Sequence, residues 1–107
     1  MSLKKIQKEV DDWMGQYIEG YWKPHEILAR LMEETGELAR EINHNFGPKK
    51  KREGAKENDM GDEMADVIWT IVCLANSQKI DLDKHWKNVM DKLYSRDDKR
   101  WAKKDGK

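Results

Sequence analysis

The stretch LARLMEETGELAREI, residues 28–42, sets three glutamates inside an apolar helical pattern. Its apolar residues recur at three- and four-residue spacing, which predicts a helix with one buried face. Side chains three or four positions apart share a helix face, so Glu34 and Glu37 point the same way, as do Glu33 and Glu37. Like charges at this spacing cost about 0.2–0.5 kcal/mol per pair. The sequence therefore predicts a cation that offsets them.

A second acidic pair lies further along the chain. In GDEMADVIW, Glu63 and Asp66 are three residues apart and directly precede the most apolar stretch of the sequence. The midpoint between Glu37 and Glu63 falls inside the predicted connector 47–58, so a helical hairpin turning there brings both pairs to the same height. Glu33 lies one residue off the shared face, where we expect it to tune or orient a metal-bound water. All-oxygen ligands suit Mg²⁺ or Mn²⁺, and the predicted ligands are Glu34, Glu37, Glu63 and Asp66.

The rest of the chain also predicts helices and no strand. The connector 47–58 contains glycines, a proline and the basic run 49–52, which is typical of an exposed loop. Asp81 or Asp83 is placed to cap the last helix, and Trp101 suggests that the polar tail docks at one point. The four helices are predicted over residues 3–19, 24–45, 59–78 and from the cap to residue 96.

Composition limits the classes of protein that fit. A length of 107 residues suits one domain, predicted over residues 1–107 with a polar tail from about residue 97. Lys+Arg 21 balances Asp+Glu 21, which gives no support for binding a nucleic acid polymer. Hydrophobic content is 37%, with five Trp and six Met, so we expect part of the apolar surface to be buried between identical subunits. No stretch is long enough to span a membrane and no signal peptide is visible, so we expect a cytoplasmic protein.

Two other classes fit parts of the pattern. A lone EExxE on a helix is most often a solvated face, and the chain would then be a non-enzymatic helical module that binds a partner. Glu41 and His44 form ExxH, the unit that binds iron in di-iron helix bundles, but those bundles need the unit twice. The placement of two acidic pairs about one turn favours a divalent-metal site over both alternatives.

The motifs EETGE (33–37) and EMAD (63–66), with the surrounding ELAREINH and DEMADVIWTIVCLAN, resemble those of the MazG-like, all-α nucleotide pyrophosphohydrolases. The likeness covers nearly the whole chain and is strongest to the short, single-domain bacterial members. It implies a four-to-five-helix bundle of the all-α NTP pyrophosphatase type, completed by oligomerisation as a homodimer or homotetramer. The implied activity is Mg²⁺-dependent hydrolysis of (d)NTPs to a monophosphate and pyrophosphate, with Mn²⁺ as a substitute, in nucleotide-pool house-cleaning.

The resemblance also suggests roles for individual residues. The two acidic pairs would hold the metal, and Glu33 or Glu37 would take a proton from the attacking water. The basic run 49–52 is placed to fold over a bound triphosphate. The remaining candidates for contacts with the substrate are Lys92 and Arg96 for phosphate, with a solvated helix face as the alternative, and Asn43, His44 and Asn76 for the base or phosphate. Among the aromatic residues, stacking on the base is one role and ordinary packing is the commoner one; the candidates are Trp13, Tyr17, Trp22 and Trp69.

Overall fold

The computed structural model describes residues 2–48 and 59–104. Within these ranges the chain forms four α-helices and no strand, which confirms the predicted all-α fold class. No helix in the described ranges combines the length and apolarity that a membrane span needs. Most of the predicted connector 47–58, including the basic run 49–52, lies outside the described residues. The helices are α1 (Leu3–Met14), α2 (Pro24–Phe46), α3 (Met60–Ser77) and α4 (Leu82–Arg96).

Local capping residues explain where the helices begin. The side chains of Ser2, Asp59 and Asp81 each accept a hydrogen bond from a backbone N–H two or three residues further on, at 3.1, 2.7 and 3.1 Å. These bonds satisfy amides that have no partner inside the helix. Pro24 is the first residue of α2, and the Glu26 carboxylate accepts a hydrogen bond from the N–H just before that proline at 2.9 Å. Of the two predicted caps for α4, Asp81 is the one that the structure shows.

Helix α1 is shorter than predicted, because it ends at Met14 rather than at residue 19. The N–H of Gly15 bonds back into the helix at 2.8 Å, and the next two N–H groups reach only three residues back. Gly20 then adopts a left-handed backbone, with φ of 67°, which turns the chain. The Tyr21 hydroxyl donates to the Asp11 carboxylate and so holds the returning segment against α1. The three-four spacing that suggested a longer helix could not reveal this contact.

The helices form a layered arrangement centred on α3. Helix α2 packs along α3, α1 also packs on α3, and α4 packs mainly against α1. The start of α4 is fixed by Gln7, whose side chain accepts from the N–H of Leu82 at 3.0 Å and donates to the carbonyl of Ile80 at 2.7 Å. The apolar core is small. Its main cluster is Val10, Val72 and Cys73, with Ile6, Met14, Tyr21 and Leu82 packed around it, and Ile27 and Ala75 are buried as well.

A large apolar surface stays exposed in the single protomer. The radius of gyration is 17.9 Å, whereas a compact domain of this length has about 13 Å. Helix α4 buries none of its residues. Trp101 is 68% exposed and contacts only the side chain of Arg100 among the described aromatic and cationic pairs, so the predicted docking of the tail is not seen. The exposed apolar residues of α4 are Trp86, Val89, Leu93 and Tyr94, and those of α2 include Leu28, Met32, Ile42 and Phe46.

Candidate active site

Three of the four predicted metal ligands meet between α2 and α3. One carboxylate oxygen each from Glu34, Glu37 and Glu63 lies within 4.8 Å of the others. Asp66 lies outside this group and is exposed. Its side chain is one methylene shorter than that of a glutamate, which reduces its reach. The charge of Asp66 nevertheless acts on both Glu34 and Glu63, so it is a neighbour of the acidic cluster.

Two of these carboxylates are deeply buried. Glu34 is 2% exposed and Glu63 is 4% exposed. The Oε2 atom of each has no hydrogen-bond partner among the described residues. The other oxygen of Glu34, Oε1, forms a salt bridge with Nη2 of Arg30 at 2.9 Å. Buried carboxylate oxygens nearly always have a partner, so these two atoms indicate a ligand that supplies positive charge.

The electrostatics of the cluster point the same way. Burial raises the pKa of Glu34, Arg30 opposes that rise, and the charges of Glu37, Asp66 and Glu33 add to it. Burial is also the largest cause that raises the pKa of Glu63. The charge of Glu37 and a hydrogen bond between Glu37 and Glu63 raise it further, as do the charges of Asp66 and Glu34. The folded chain therefore holds these carboxylates against desolvation and mutual repulsion. A bound cation would offset both costs.

The donor set fits a small divalent ion. Mg²⁺ binds oxygen at about 2.0–2.1 Å, which places opposite ligand atoms about 4.2 Å apart. Three ligands of one octahedral ion include at least two adjacent pairs, which lie about 2.9 Å apart. The three oxygens lie within 4.8 Å of one another, so they would have to draw closer together to share one ion. The group contains no histidine among the described residues. The single ExxH unit, Glu41 and His44, therefore gives the di-iron alternative no support in this site.

An aromatic cavity of about 420 Å³ adjoins the acidic cluster. Arg30 connects the cavity to the cluster, because it lines the cavity and contacts Glu34. Thr70 also lines the cavity, and its hydroxyl donates to the backbone carbonyl of Asp66, one turn earlier in the same helix, at 2.9 Å. The structure thus brings together four aromatic residues that the sequence suggested for stacking, which are Trp13, Tyr17, Trp22 and Trp69.

The rings in this cavity are arranged edge to face. The Trp13 ring lies 5.0 Å from that of Tyr17 at 61° and 6.1 Å from that of Trp69 at 75°. Such packing holds the side chains in place. A mostly apolar cavity of this size, with a few polar groups at one end, is typical of a small-molecule site.

The three predicted amide and imidazole contacts do not line this cavity. Asn76 donates both amide hydrogens, to the Gln7 carbonyl and the Tyr21 hydroxyl, and accepts from the Gln7 side chain, all at 2.9 Å. It has no donor left for a nucleotide. Asn43 is exposed, and His44 is half-buried with its Nδ1 lacking a partner among the described residues. Both follow Glu37 by about 9 Å or more along the helix axis.

The predicted phosphate-binding pair lies on α4. Lys92 and Arg96 are exposed, and Nε of Arg96 lies 3.5 Å from the carboxylate of Asp97. Neither residue belongs to the charges that shift the pKa of Glu34 or Glu63. Since α4 packs mainly against α1, the single protomer does not present this pair to the acidic cluster on α2 and α3.

The sequence reasoning missed Arg30 and Thr70 as parts of the site. Arg30 precedes Glu34 by four residues, and that spacing alone places the two side chains on one helix face. The signal was therefore present in ARLMEE. Thr70 precedes no charged motif and could be assigned only after the packing of α3 on the 15–23 segment was seen.

The fold and site define a class of all-α proteins with carboxylates clustered between two helices, and comparison with known structures places the chain in it. It superposes on the Bacillus-conserved MazG protein, a nucleotide pyrophosphohydrolase, with a TM-score of 0.77 and 43% identity over 90% of this chain and 93% of that one. The crystal structure of YpjD from Bacillus subtilis gives a TM-score of 0.80 and 47% identity over 90% and 96%. The YpjD sequence of strain 168 is 46% identical over 104 residues, which is 97% of this chain and 94% of that protein.

The family follows from a domain match. Residues 23–101 match the MazG nucleotide pyrophosphohydrolase domain. The chain belongs to this family and is a hydrolase, which confirms the resemblance seen in its motifs and excludes the non-enzymatic module.

Proposed function

We propose that this protein hydrolyses nucleoside triphosphates, (d)NTP + H₂O to (d)NMP + pyrophosphate, with Mg²⁺ as its cofactor and Mn²⁺ as a substitute. The observation that supports this most directly is the pair of buried Oε2 atoms on Glu34 and Glu63 that lack a partner among the described residues. Arg30, which contacts Glu34, lines an aromatic cavity of about 420 Å³. A polyphosphate would thus find a metal-binding cluster, and a base would find an aromatic cavity close to it.

In this proposal Glu34, Glu37 and Glu63 hold the metal and Asp66 assists from the edge of the cluster. A bound divalent ion neutralises phosphate charge and lowers the pKa of a coordinated water. Glu33 and Glu37 are exposed beside the buried ligands, so either carboxylate is accessible to accept the proton of the attacking water. The buried glutamates keep their positions because the packed α2–α3 pair holds them.

The substrate would lie across both parts of the site. Its base would enter the aromatic cavity, where Trp13 and Trp69 offer ring faces and edges, and its phosphates would point toward the acidic cluster. Arg30 lies where these two parts meet, and Thr70 lines the cavity. Asn43 and His44 are kept as proposed contacts further along α2.

The assembled enzyme would be a homodimer or homotetramer. The apolar stripe of α4 and the exposed apolar residues of α2 have no cover in the protomer, and burying them between copies would supply the missing core. Such an assembly can bring Lys92 and Arg96 from one protomer to the phosphates bound by its partner. We propose that the whole chain acts as one domain, in the cytoplasm, on the nucleotide pool as a house-cleaning enzyme.

A product assay tests this function. Canonical, deoxy and modified nucleoside triphosphates are incubated with the protein and Mg²⁺, Mn²⁺ or a chelator, and the products are separated. We expect monophosphate and pyrophosphate, formed only with a divalent ion. Release of diphosphate and orthophosphate would contradict the proposal, as would equal turnover in the chelator.

A further inference from the structure

Arg30 is the one side chain that both lines the aromatic cavity and contacts a buried carboxylate of the acidic cluster among the described residues. Its Nη2 lies 2.9 Å from Oε1 of Glu34. Its own side chain is 45% exposed, whereas that of Glu34 is 2% exposed. The guanidinium therefore reaches from the open cavity down to the buried acid.

Arg30 also carries the positive charge of this region. Of the charged groups that act on Glu34, Arg30 is the cation, while Glu37, Asp66 and Glu33 are acids. Without Arg30, the buried carboxylate would face three like charges. The ion pair thus stabilises the chain in its metal-free form.

A divalent ion held by Glu34 would take over that neutralising role. Oε2 of Glu34 has no partner among the described residues, and Oε1 is held by Arg30. Two cations beside one carboxylate repel each other. Because the cavity lies beside the guanidinium, Arg30 has open space into which it can turn.

The nucleotide would meet Arg30 at that position. A base in the aromatic cavity and a polyphosphate at the acidic cluster place the sugar and α-phosphate between them. A guanidinium binds a phosphate through two parallel N–H donors, which an ammonium cannot do.

We propose that Arg30 exchanges partners: it neutralises Glu34 in the metal-free protein and, once a divalent ion binds there, it contacts the α-phosphate of the nucleotide. This inference rests on the proposed function, and it adds a substrate-binding residue and an order of binding, metal before nucleotide. It also predicts positive coupling between the two ligands, which must be reciprocal.

The competing role for Arg30 predicts the opposite sign. If Arg30 stayed on Glu34 to orient it as a metal ligand, removing the arginine would weaken metal binding by about 10- to 100-fold. If Arg30 competes with the metal, removing it tightens metal binding. The direction of a single measured change therefore separates the two roles.

The first measurement is a Mn²⁺ titration of nucleotide-free protein, by calorimetry or by the loss of the free-ion electron paramagnetic resonance signal. We expect Arg30→Gln and Arg30→Met to bind Mn²⁺ roughly three- to tenfold more tightly than wild type, in the range of a partly exposed ion pair. Arg30→Lys keeps the charge and should stay near wild type. Weaker Mn²⁺ binding by Arg30→Gln and Arg30→Met would overturn the proposal.

The second measurement uses dAMP, dCMP, dGMP and dTMP as probes, with the tightest binder to wild type taken forward. Calorimetry at saturating Mg²⁺ should show about tenfold weaker binding to Arg30→Gln, with a smaller loss in Arg30→Lys because lysine cannot form the paired contact. Unchanged affinity of both variants for the monophosphate would overturn the phosphate contact proposed for Arg30 but would leave the proposed metal site untouched. Failure of wild type to bind Mn²⁺ at all would overturn the metal site and this inference together.

Discussion

Replacing Asn76 with alanine distinguishes a structural amide from a substrate contact. The sequence suggested that Asn76 reads a base or binds phosphate, but its side chain makes three hydrogen bonds of 2.9 Å, two with Gln7 and one with Tyr21. Burial, and then the hydrogen bond to Asp11, raises the pKa of Tyr21 to about 12, so its hydroxyl stays protonated and donates to Asp11 while it accepts from Asn76.

The size of the effect follows from these bonds. Each hydrogen bond contributes about 0.5–1.5 kcal/mol to stability. Asn76 is partly buried, so water can replace some of the lost partners. We therefore expect Asn76→Ala to lower the free energy of unfolding by roughly 2–3 kcal/mol. In a domain of this size the melting temperature falls by about 4–8 °C for each kcal/mol.

The assay is urea unfolding at fixed protein concentration, followed by steady-state kinetics well below the midpoint. Gln78→Ala is the matched control, because that exposed amide at the end of the same helix makes only a 3.4 Å contact with Ser77. We expect the control to change stability by less than about 0.5 kcal/mol. An unchanged midpoint for Asn76→Ala together with a raised KM would refute the structural role and restore the predicted substrate contact.

Three further outcomes are expected. Glu37→Gln should lower turnover by on the order of 100-fold or more, since it removes a proposed metal ligand and proton acceptor. The control variant Glu9→Gln, at an exposed position of α1, should leave turnover unchanged. Product assays and circular dichroism at equal concentrations check this, and full activity in Glu37→Gln would refute the assignment. The pKa of the carboxyl groups of Glu34 and Glu63 is raised above the ordinary 4.5. Their contribution to the stability of the metal-free chain is therefore fully present below pH 4.5 and is lost as the pH rises through the raised pKa values. Thermal melts should show this decline in chelator and a weaker decline with Mg²⁺, and identical profiles in the two conditions would argue against a metal at these carboxylates. Lys79 has a left-handed backbone with φ of 57°, so Lys79→Gly should stabilise the chain by about 1 kcal/mol, and a lower unfolding midpoint would contradict this.

The predictable parts of the structure depend on short-range patterns. The starts of α3 and α4 at Asp59 and Asp81 follow from capping chemistry, which involves neighbouring residues only. Glu37 and Glu63 lie equally far along the sequence from the same connector, and consecutive helices tend to pack side by side. These two facts predict that the side chains come close together, as they do in the structure. The four aromatic residues of the cavity were identified one by one, although their common location was not.

The features that sequence reasoning missed depend on contacts between distant segments. The end of α1 at Met14 is accompanied by the Tyr21–Asp11 contact across a left-handed Gly20. Asp66 shares the spacing of a ligand and lies exposed outside the group of three, so its role as a ligand stays a prediction. Asn76 is hydrogen-bonded to Gln7 on α1, which no local pattern connects to it. Long-range partners of this kind become visible only when the helices are packed.

Anomalous scattering can locate a divalent ion bound to the acidic cluster. Crystals grown with Mn²⁺ and without nucleotide can be measured near the manganese absorption edge. We expect an anomalous peak between α2 and α3, within bonding distance of oxygens from Glu34, Glu37 and Glu63, and we expect this peak to be lost in Glu63→Gln crystals. Manganese bound elsewhere on the chain, or no peak at these three carboxylates at a saturating concentration, would contradict it.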